Sequence, residues 1–322
     1  MAQRYSISSA MRGGMEIFTL SEAEEASVSI VPEWGNGCVA LTVHGFDILE
    51  PVEWQALQAH PTSYGIPLLF PFPNRIREGA FEFRGRRYVM TPSRHGFVRQ
   101  RPWKMFASGA SDEEGAWLAS RLEAIQYPEI LAQFPWPFRI EVRYCLKQRT
   151  LHIETTAQNT ATQHDMPMGF GLHPYFRRPE RGTIQVPARS RWELTDSLPT
   201  GKLLKVEGRY DLRQPRDLTE VGVVDDIWTG LLADAQGMVH CVLHDQSSGL
   251  QTVVECDSGQ FPHIVVYTPP APRQAICIEP YTCPTDGFNL QHRGIESHLI
   301  VLRPGETITL NVRISARILP RG

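Results

Sequence analysis

Residues 139–155 read RIEVRYCLKQRTLHIET. Ile140, Val142, Tyr144 and Leu146 alternate with charged residues or cysteine, and Leu151, Ile153 and Thr155 resume the alternation after a polar turn. A period of two puts every second side chain on one face, so this stretch predicts a β-hairpin with one buried side. The pattern recurs along the chain. Ile308, Leu310, Val312 and Ile314 follow an Arg-Pro-Gly-Glu turn at 303–306. Val39, Leu41 and Val43 lead to His44-Gly45 and then to Phe46 and Ile48, and Phe81 and Phe83 turn at Gly85 towards Tyr88 and Met90. Val239–Leu243, Thr252–Cys256 and Ile264–Tyr267 predict further strands. The helix candidates, around Glu22–Glu25 and Glu129–Gln133, are only a turn or two long. Twenty-five prolines and twenty-five glycines punctuate the sequence, as many short strands joined by turns require. The expected fold is all-β, a large antiparallel β-sandwich with few short helices. No repeat or linker divides residues 1–322, so one domain is expected.

Three proline-rich stretches interrupt the alternation: Gly65–Asn74, Tyr127–Pro137 and Phe261–Pro284. Proline cannot donate to a central ladder, so these predict long ordered loops, the kind of segment on which sites are often built.

Bulk composition narrows the function. Of the 322 residues, 42% are hydrophobic and 21% charged, and the formal net charge is -3. Such a balance argues against a nucleic-acid surface, which needs a basic excess. No apolar run approaches twenty residues, so no membrane span is expected. The first twenty residues lack the apolar centre of a secretory signal, which leads to an expectation of a cytoplasmic protein. The six cysteines are scattered without a CxxC pair and are expected to be reduced thiols.

Phosphate-loop, dinucleotide, nucleophile-elbow and HExxH motifs are all missing, so no cofactor is expected. His240 and His244 could share a strand face, but two histidines without a third ligand do not make a metal site. Any chemistry must then come from ordinary acids and bases. Four segments place polar residues in apolar or proline-rich surroundings. In GIPLLFPFPNRI, Asn74 and Arg75 end a rigid apolar run, and Arg75 could aim its fork of donors at sugar hydroxyls or simply be a surface arginine. In RHGFVRQRPW, His95 precedes a glycine, which could be no more than a turn. In MGFGLHPYF, His173 sits among glycines and aromatics, either a core histidine or an imidazole poised to give a proton near its ordinary value of about 6.5. In AICIEPYTCPTDGFN, Glu279 ends the apolar run Ala275–Ile278, where desolvation would raise its basicity. Asp225 and Asp226, after Val221–Val224, are a weaker fifth feature.

Taken in order, NRI, HG with a downstream Trp, HPYF, VDDIWTG, and IEP with a trailing GFN resemble the aldose 1-epimerase family, the galactose-mutarotase-like proteins, from about residue 30 to 318. The resemblance implies a large antiparallel β-sandwich that interconverts the α and β anomers of a monosaccharide without metal or other cofactor, as a monomer or homodimer. It implies Glu279 as the general base at the anomeric hydroxyl and His173 as the general acid at the ring oxygen. By the same resemblance His95 lies near the ring oxygen and C6, Asn74 and Arg75 bind substrate, and Asp225, with Asp226 as its neighbouring alternative, grips hydroxyls. One departure concerns the polar residue that several galactose mutarotases carry shortly before a Tyr-Thr pair. Here Val265 falls near that position and His263 is the nearest polar residue, which puts a galactose preference in question. Two other readings stand beside the epimerase. Arg94, Arg99, Arg101, Arg177 and Arg178 flank the two histidines and could bind a phosphate, as in a hexose-6-phosphate 1-epimerase. A sugar-binding protein without turnover is the other.

Overall fold

The computed structural model describes residues 3–319. The opening hairpin is there: strands Phe138–Lys147 and Thr150–Asn159 pair antiparallel from Phe138↔Asn159 to Lys147↔Thr150. Gln148 and Arg149 turn the chain with φ of 51° and 59°, the left-handed pair that matches the twist of a two-residue hairpin. Arg84-Gly85 and His44-Gly45 make the same kind of turn. These two strands lie inside a nine-stranded antiparallel sheet, next to the C-terminal strand Thr307–Ile318. A five-stranded meander, Tyr5–Asp47, packs by its strands Tyr5–Arg12 and Met15–Glu22 against one end of that sheet.

An eight-stranded antiparallel sheet carries the candidate residues Asp225 and Glu279, with His173 between two of its short strands. Its strands are β1 (Leu68–Leu69), β2 (Gly171–Leu172), β3 (Tyr175–Arg177), β4 (Ala188–Thr195), β5 (Leu198–Lys205), β6 (Asp225–Leu231), β7 (His263–Tyr267) and β8 (Ala275–Tyr281). They run β5-β4-β6-β7-β8-β2-β1, with β3 also paired to β8. Side chains alternate between its two faces. Trp228, Ile264, Val266, Ile276 and Ile278 join the same buried cluster as Val142, Ile153, Val254 and Val312 of the nine-stranded sheet, which closes the sandwich. The opposite face buries a second, smaller cluster of Leu69, Trp192, Ile227, Val265, Tyr281 and Leu290.

Three expectations fail locally. Gly65–Asn74, expected as a loop, carries the two-residue edge strand β1. Phe261–Pro284 is not one loop: it holds β7 and β8, both near the middle of the sheet. Pro280 is tolerated because β8 faces an unbroken strand on one side only. On its other side the pairing passes from Gly171↔Tyr281 to Tyr175↔Cys277, and the interval Leu172–Pro174, whose first residue stands opposite Pro280, makes no ladder pair with β8. Glu22–Glu25 is not helical either. Glu22 ends the strand Met15–Glu22, and Ala23, with φ 44°, begins the turn into Ala26–Val31. The second helix candidate does contain a helical turn, Pro128–Leu131. Helices at Trp54–Ala59, Leu218–Val221 and Gly287–His292 were not anticipated. All six cysteines are buried and unpaired.

Candidate active site

The sheet register brings the two central residues together. Continuing the antiparallel count between Gly171↔Tyr281 and Tyr175↔Cys277 sets His173 opposite Glu279 on the same face of the sheet. His173 Nε2 lies 3.5 Å from Glu279 Oε1. Val265 of β7 faces Glu279 from the other side, in the apolar cluster beneath. Gly171 has to be glycine here, because a Cβ would come within 2.5 Å of the Tyr281 ring.

Above this floor a pocket of about 100 Å³ is lined by Asn74, Arg75, Arg94, His95, His173, Tyr175, Asp225, Tyr267 and Glu279. All six residues singled out in the sequence therefore meet in one place, although they span two hundred positions. The rim from residues 74–75 and 94–95 is built by backbone geometry. Asn74 and His95 both adopt left-handed φ, 53° and 64°, and the His95 N–H donates to the Asn74 carbonyl at 2.6 Å. Arg75 and Arg94 face each other in an isolated antiparallel bridge. Gly96 anchors the turn against Phe70, whose carbonyl oxygen would lie 2.0 Å from a Cβ at that position. Non-glycine residues held in the left-handed region concentrate at functional sites, where the surrounding structure holds them there.

Alternation along β6 separates the two aspartates. Asp225 points to the pocket side, 4.0 Å from Arg75 Nη1, whereas Asp226 turns the other way and accepts from Arg191 at 3.1 Å. Arg75 Nη1 also donates to Asn74 Oδ1 at 3.1 Å. Of the arginines flanking the histidines, Arg94 lines the pocket, whereas Arg99 does not and donates to the Thr62 carbonyl. Arg101 is paired with Glu129, and Arg178 donates to the Leu218 carbonyl away from the pocket. His263 is fully buried against Trp192 and does not line the pocket, so neither it nor Val265 offers a polar group there.

Burial governs the electrostatics. Glu279 is 1% exposed, and desolvation pushes its carboxyl well above the ordinary range. The Tyr281 hydroxyl, donating to Oε2 at 2.5 Å, pulls it back, and the charge of Asp225 raises it further. His173 is pushed down to about 3, first by burial and then by the positive charge of Arg99. Its ring stacks on Tyr175 at 4.4 Å, and the ring of His95 meets its edge at 5.4 Å. Burial and the neighbouring His173 push His95 well below its ordinary value too. Burial thus works against charge on both members of the pair, raising the carboxyl and lowering the imidazole. Of the two readings of His173, the one that left the imidazole near its ordinary value is corrected by its burial. Tyr281 is the carboxyl's partner, and the imidazole is too deeply desolvated to keep its ordinary value.

Tyr281 and Tyr267 went unnoticed in the sequence. Tyr281 could have been found, since on a strand it shares the face of Glu279 two residues earlier. Tyr267 needs the β6–β7 register, in which it stands opposite Asp225. Cys277 also shares the face, and His173, Cys277 and Glu279 offer ligand atoms within 4.8 Å of one another, a set that a soft divalent ion could use. Burial holds the Cys277 thiol well above its ordinary value, so it is a neutral thiol until something displaces its proton.

The aldose 1-epimerase family profile matches residues 16–315. The chain belongs to this family. The fold is shared with a galactose mutarotase-like protein from Clostridium acetobutylicum, at TM-score 0.85 and 20% identity over 98% of this chain and 99% of that one. It is shared also with a galactose 1-epimerase from Lactobacillus acidophilus NCFM, at TM-score 0.78 and 15% identity over 98% and 99%. In sequence, the uncharacterized protein YihR of Escherichia coli K12 is 24% identical over 292 residues, 84% of each chain. Among the described residues no helix is long and apolar enough to cross a membrane.

Proposed function

We propose that the chain is an aldose 1-epimerase, opening and reclosing the ring of a monosaccharide with Glu279 as base and His173 as acid. The observation that carries this is the facing pair, 3.5 Å apart on the floor of a polar pocket, with a carboxyl raised and an imidazole lowered by burial. Groups whose surroundings drive their proton affinities apart suit acid–base work.

The proton accounting is simple. A sugar bound in the pocket supplies hydroxyls that stabilise the charged arrangement, Glu279 carboxylate beside His173 imidazolium. The carboxylate takes the proton from O1 as the imidazolium gives its own to O5. The C1–O5 bond breaks and C1=O1 forms. This leaves the neutral pair that burial favours, so the site itself pulls the transfer forward. The C1–C2 bond then rotates. Reclosure returns the O5 proton to His173 and the Glu279 proton to O1 on the opposite face. Each proton transfer contributes roughly 10²–10⁴-fold. Arg75, Asn74 and Asp225 hold hydroxyls, and His95 stands beside the acid. No step calls for a metal or other cofactor, and a single chain suffices for the site.

Polarimetry of freshly dissolved pure anomers tests the reading. The decay of optical rotation for α-D-glucose or α-D-galactose should accelerate with enzyme concentration and stay unchanged in EDTA. No acceleration with any aldose would leave a sugar-binding role, and loss in EDTA restored by a divalent ion would make His173, Cys277 and Glu279 a metal site.

A further inference from the structure

His173 lacks the usual device for fixing an imidazole. A catalytic histidine is commonly oriented by a hydrogen bond from its second ring nitrogen to a carboxylate or carbonyl. Nδ1 of His173 is buried, and among the described residues no other residue offers it a partner. Packing fixes the ring instead. Tyr175 lies almost parallel to it, with 13° between the planes and 4.4 Å between the centroids, while His95 and Tyr267 meet it edge-on at 5.4 and 5.9 Å. The Tyr175 hydroxyl also comes within 3.4 Å of Nε2, the nitrogen that faces Glu279.

Tyr175 is itself held from behind. In the β3–β8 register His173 stands opposite Glu279, Tyr175 opposite Cys277 and Arg177 opposite Ala275, so the chain before β8 reaches Tyr175 from the side away from His173. There Arg273 Cζ lies 4.5 Å from the centroid of the Tyr175 ring and 4.4 Å from that of Tyr64. A guanidinium between two ring faces is attracted by both. Glu50 fixes its direction. Arg273 Nε donates to Oε2 at 3.0 Å and Nη2 donates to the same carboxylate, a planar fork on a planar acceptor. Glu50 is 8% exposed, and its N–H donates to the Tyr175 carbonyl at 2.8 Å, so the carboxylate and the ring are tied to the same stretch of backbone. Arg273 does not line the pocket, so any effect on the reaction must pass through Tyr175.

We infer that Arg273, gripped by Glu50 and backed by Tyr64, is a positioning residue for proton transfer: it presses the Tyr175 ring against His173 and so sets the plane of the imidazole, which no hydrogen bond sets. The effect on rate rests on the acid–base reading, whereas the stack itself does not. Misplacing a reacting group by about 1 Å can cost about 10²-fold, so a loosened ring should lower kcat and leave sugar binding alone. The charge of Arg273 acts in the opposite sense. It pushes His173 down, so a role through charge alone would let the imidazole hold its proton more readily once that charge is removed.

Arg273→Lys and Arg273→Met separate shape from charge, since lysine keeps the charge without the planar fork. Anomer exchange of D-glucose and D-galactose is followed by NMR exchange spectroscopy. Both variants should lower kcat at least about fivefold per folded molecule, with KM within about twofold of the parent. Glu50→Gln loosens the same clamp from its other end and should act in the same direction, which covers an Arg273 variant that fails to fold. The ring protons of His173, assigned by their absence in His173→Asn, lie in the ring current of Tyr175. In each variant they should move towards the position of an unstacked imidazole. Full kcat in Arg273→Lys would overturn the inference, as would a lowered melting temperature with kcat and ring resonances unchanged. If the parent exchanges neither sugar, the acid–base reading fails for them on its own account. The His173 resonances then decide alone, and resonances unmoved in all three variants would overturn the clamp.

Discussion

Ile278 and Glu279 are consecutive residues of β8, each about 1% exposed. By burial alone they are indistinguishable. Ile278 points into the cluster that joins the two sheets, where its worth is the apolar surface it removes from water. Glu279 points the other way, to the floor of the pocket, where the same exclusion of water works against its charge and alters its proton affinity. One strand thus serves packing with one face and chemistry with the other.

The contrast is sharpest at Glu279. Glu279→Gln keeps shape and hydrogen-bonding reach but cannot take a proton, so anomer exchange should fall at least about 10²-fold in polarimetry while sugar affinity changes little. Stability should move the opposite way. The folded carboxyl binds its proton more tightly than the unfolded one, whose ordinary value is 4.5. The unfolded chain gives up that proton as pH rises past this point, and the native fold loses relative stability until its own raised value is reached. Gln does not titrate, so its advantage in thermal melting should be absent at pH 4 and clear at pH 7.5. Retained activity would make Glu279 structural and turn attention to Asp225.

Ile278→Ala probes the other face. Truncation in the core should cost about 2–5 kcal/mol in urea unfolding, with the rate per folded molecule within about twofold of the parent. A large loss of rate would mean that the two faces are not independent.

Tyr281→Phe should have a smaller effect. It removes the hydroxyl that favours the Glu279 carboxylate, so the rate should fall about tenfold, the size expected for one hydrogen bond to a charged group. The rising limb of the pH–rate profile should shift to higher pH, because the carboxyl then holds its proton longer. An unshifted limb would deny Tyr281 any hold on the base.

The smallest effects separate the neighbours on β6. Asp225→Asn should raise KM several-fold and leave melting nearly unchanged. Asp226→Asn should leave KM alone and cost on the order of 1–2 kcal/mol of stability, through its bond to Arg191. The reverse outcome would exchange their roles.

The sequence made the strands legible because alternation is a local signal. It survives in Phe138–Lys147, whose buried and half-buried residues alternate through Tyr144. It is lost in β8, which is buried on both faces, so an unbroken apolar run with Pro280 looked like a loop. The candidate residues were legible as polar side chains in apolar settings, but their meeting was not. His173 faces Glu279 only through a register set by Gly171↔Tyr281, more than a hundred positions apart, and nothing local encodes it. Asp225 and Asp226 could not be separated until the start of β6 was known. The proton affinities were the least legible of all, because they depend on how completely Tyr175, Tyr267 and Tyr281 exclude water.

The left-handed backbone at Asn74 and His95 bears on how this protein would respond to selection. Each such residue holds a shape that costs a side-chain-bearing amino acid about 1–2 kcal/mol and costs glycine almost nothing. A laboratory search for heat resistance that ignored sugars would therefore be drawn to glycine at positions 74 and 95. It would gain melting temperature there and strip the rim of its amide and its imidazole, while leaving the sheet untouched. Only a screen that also demands turnover would keep both.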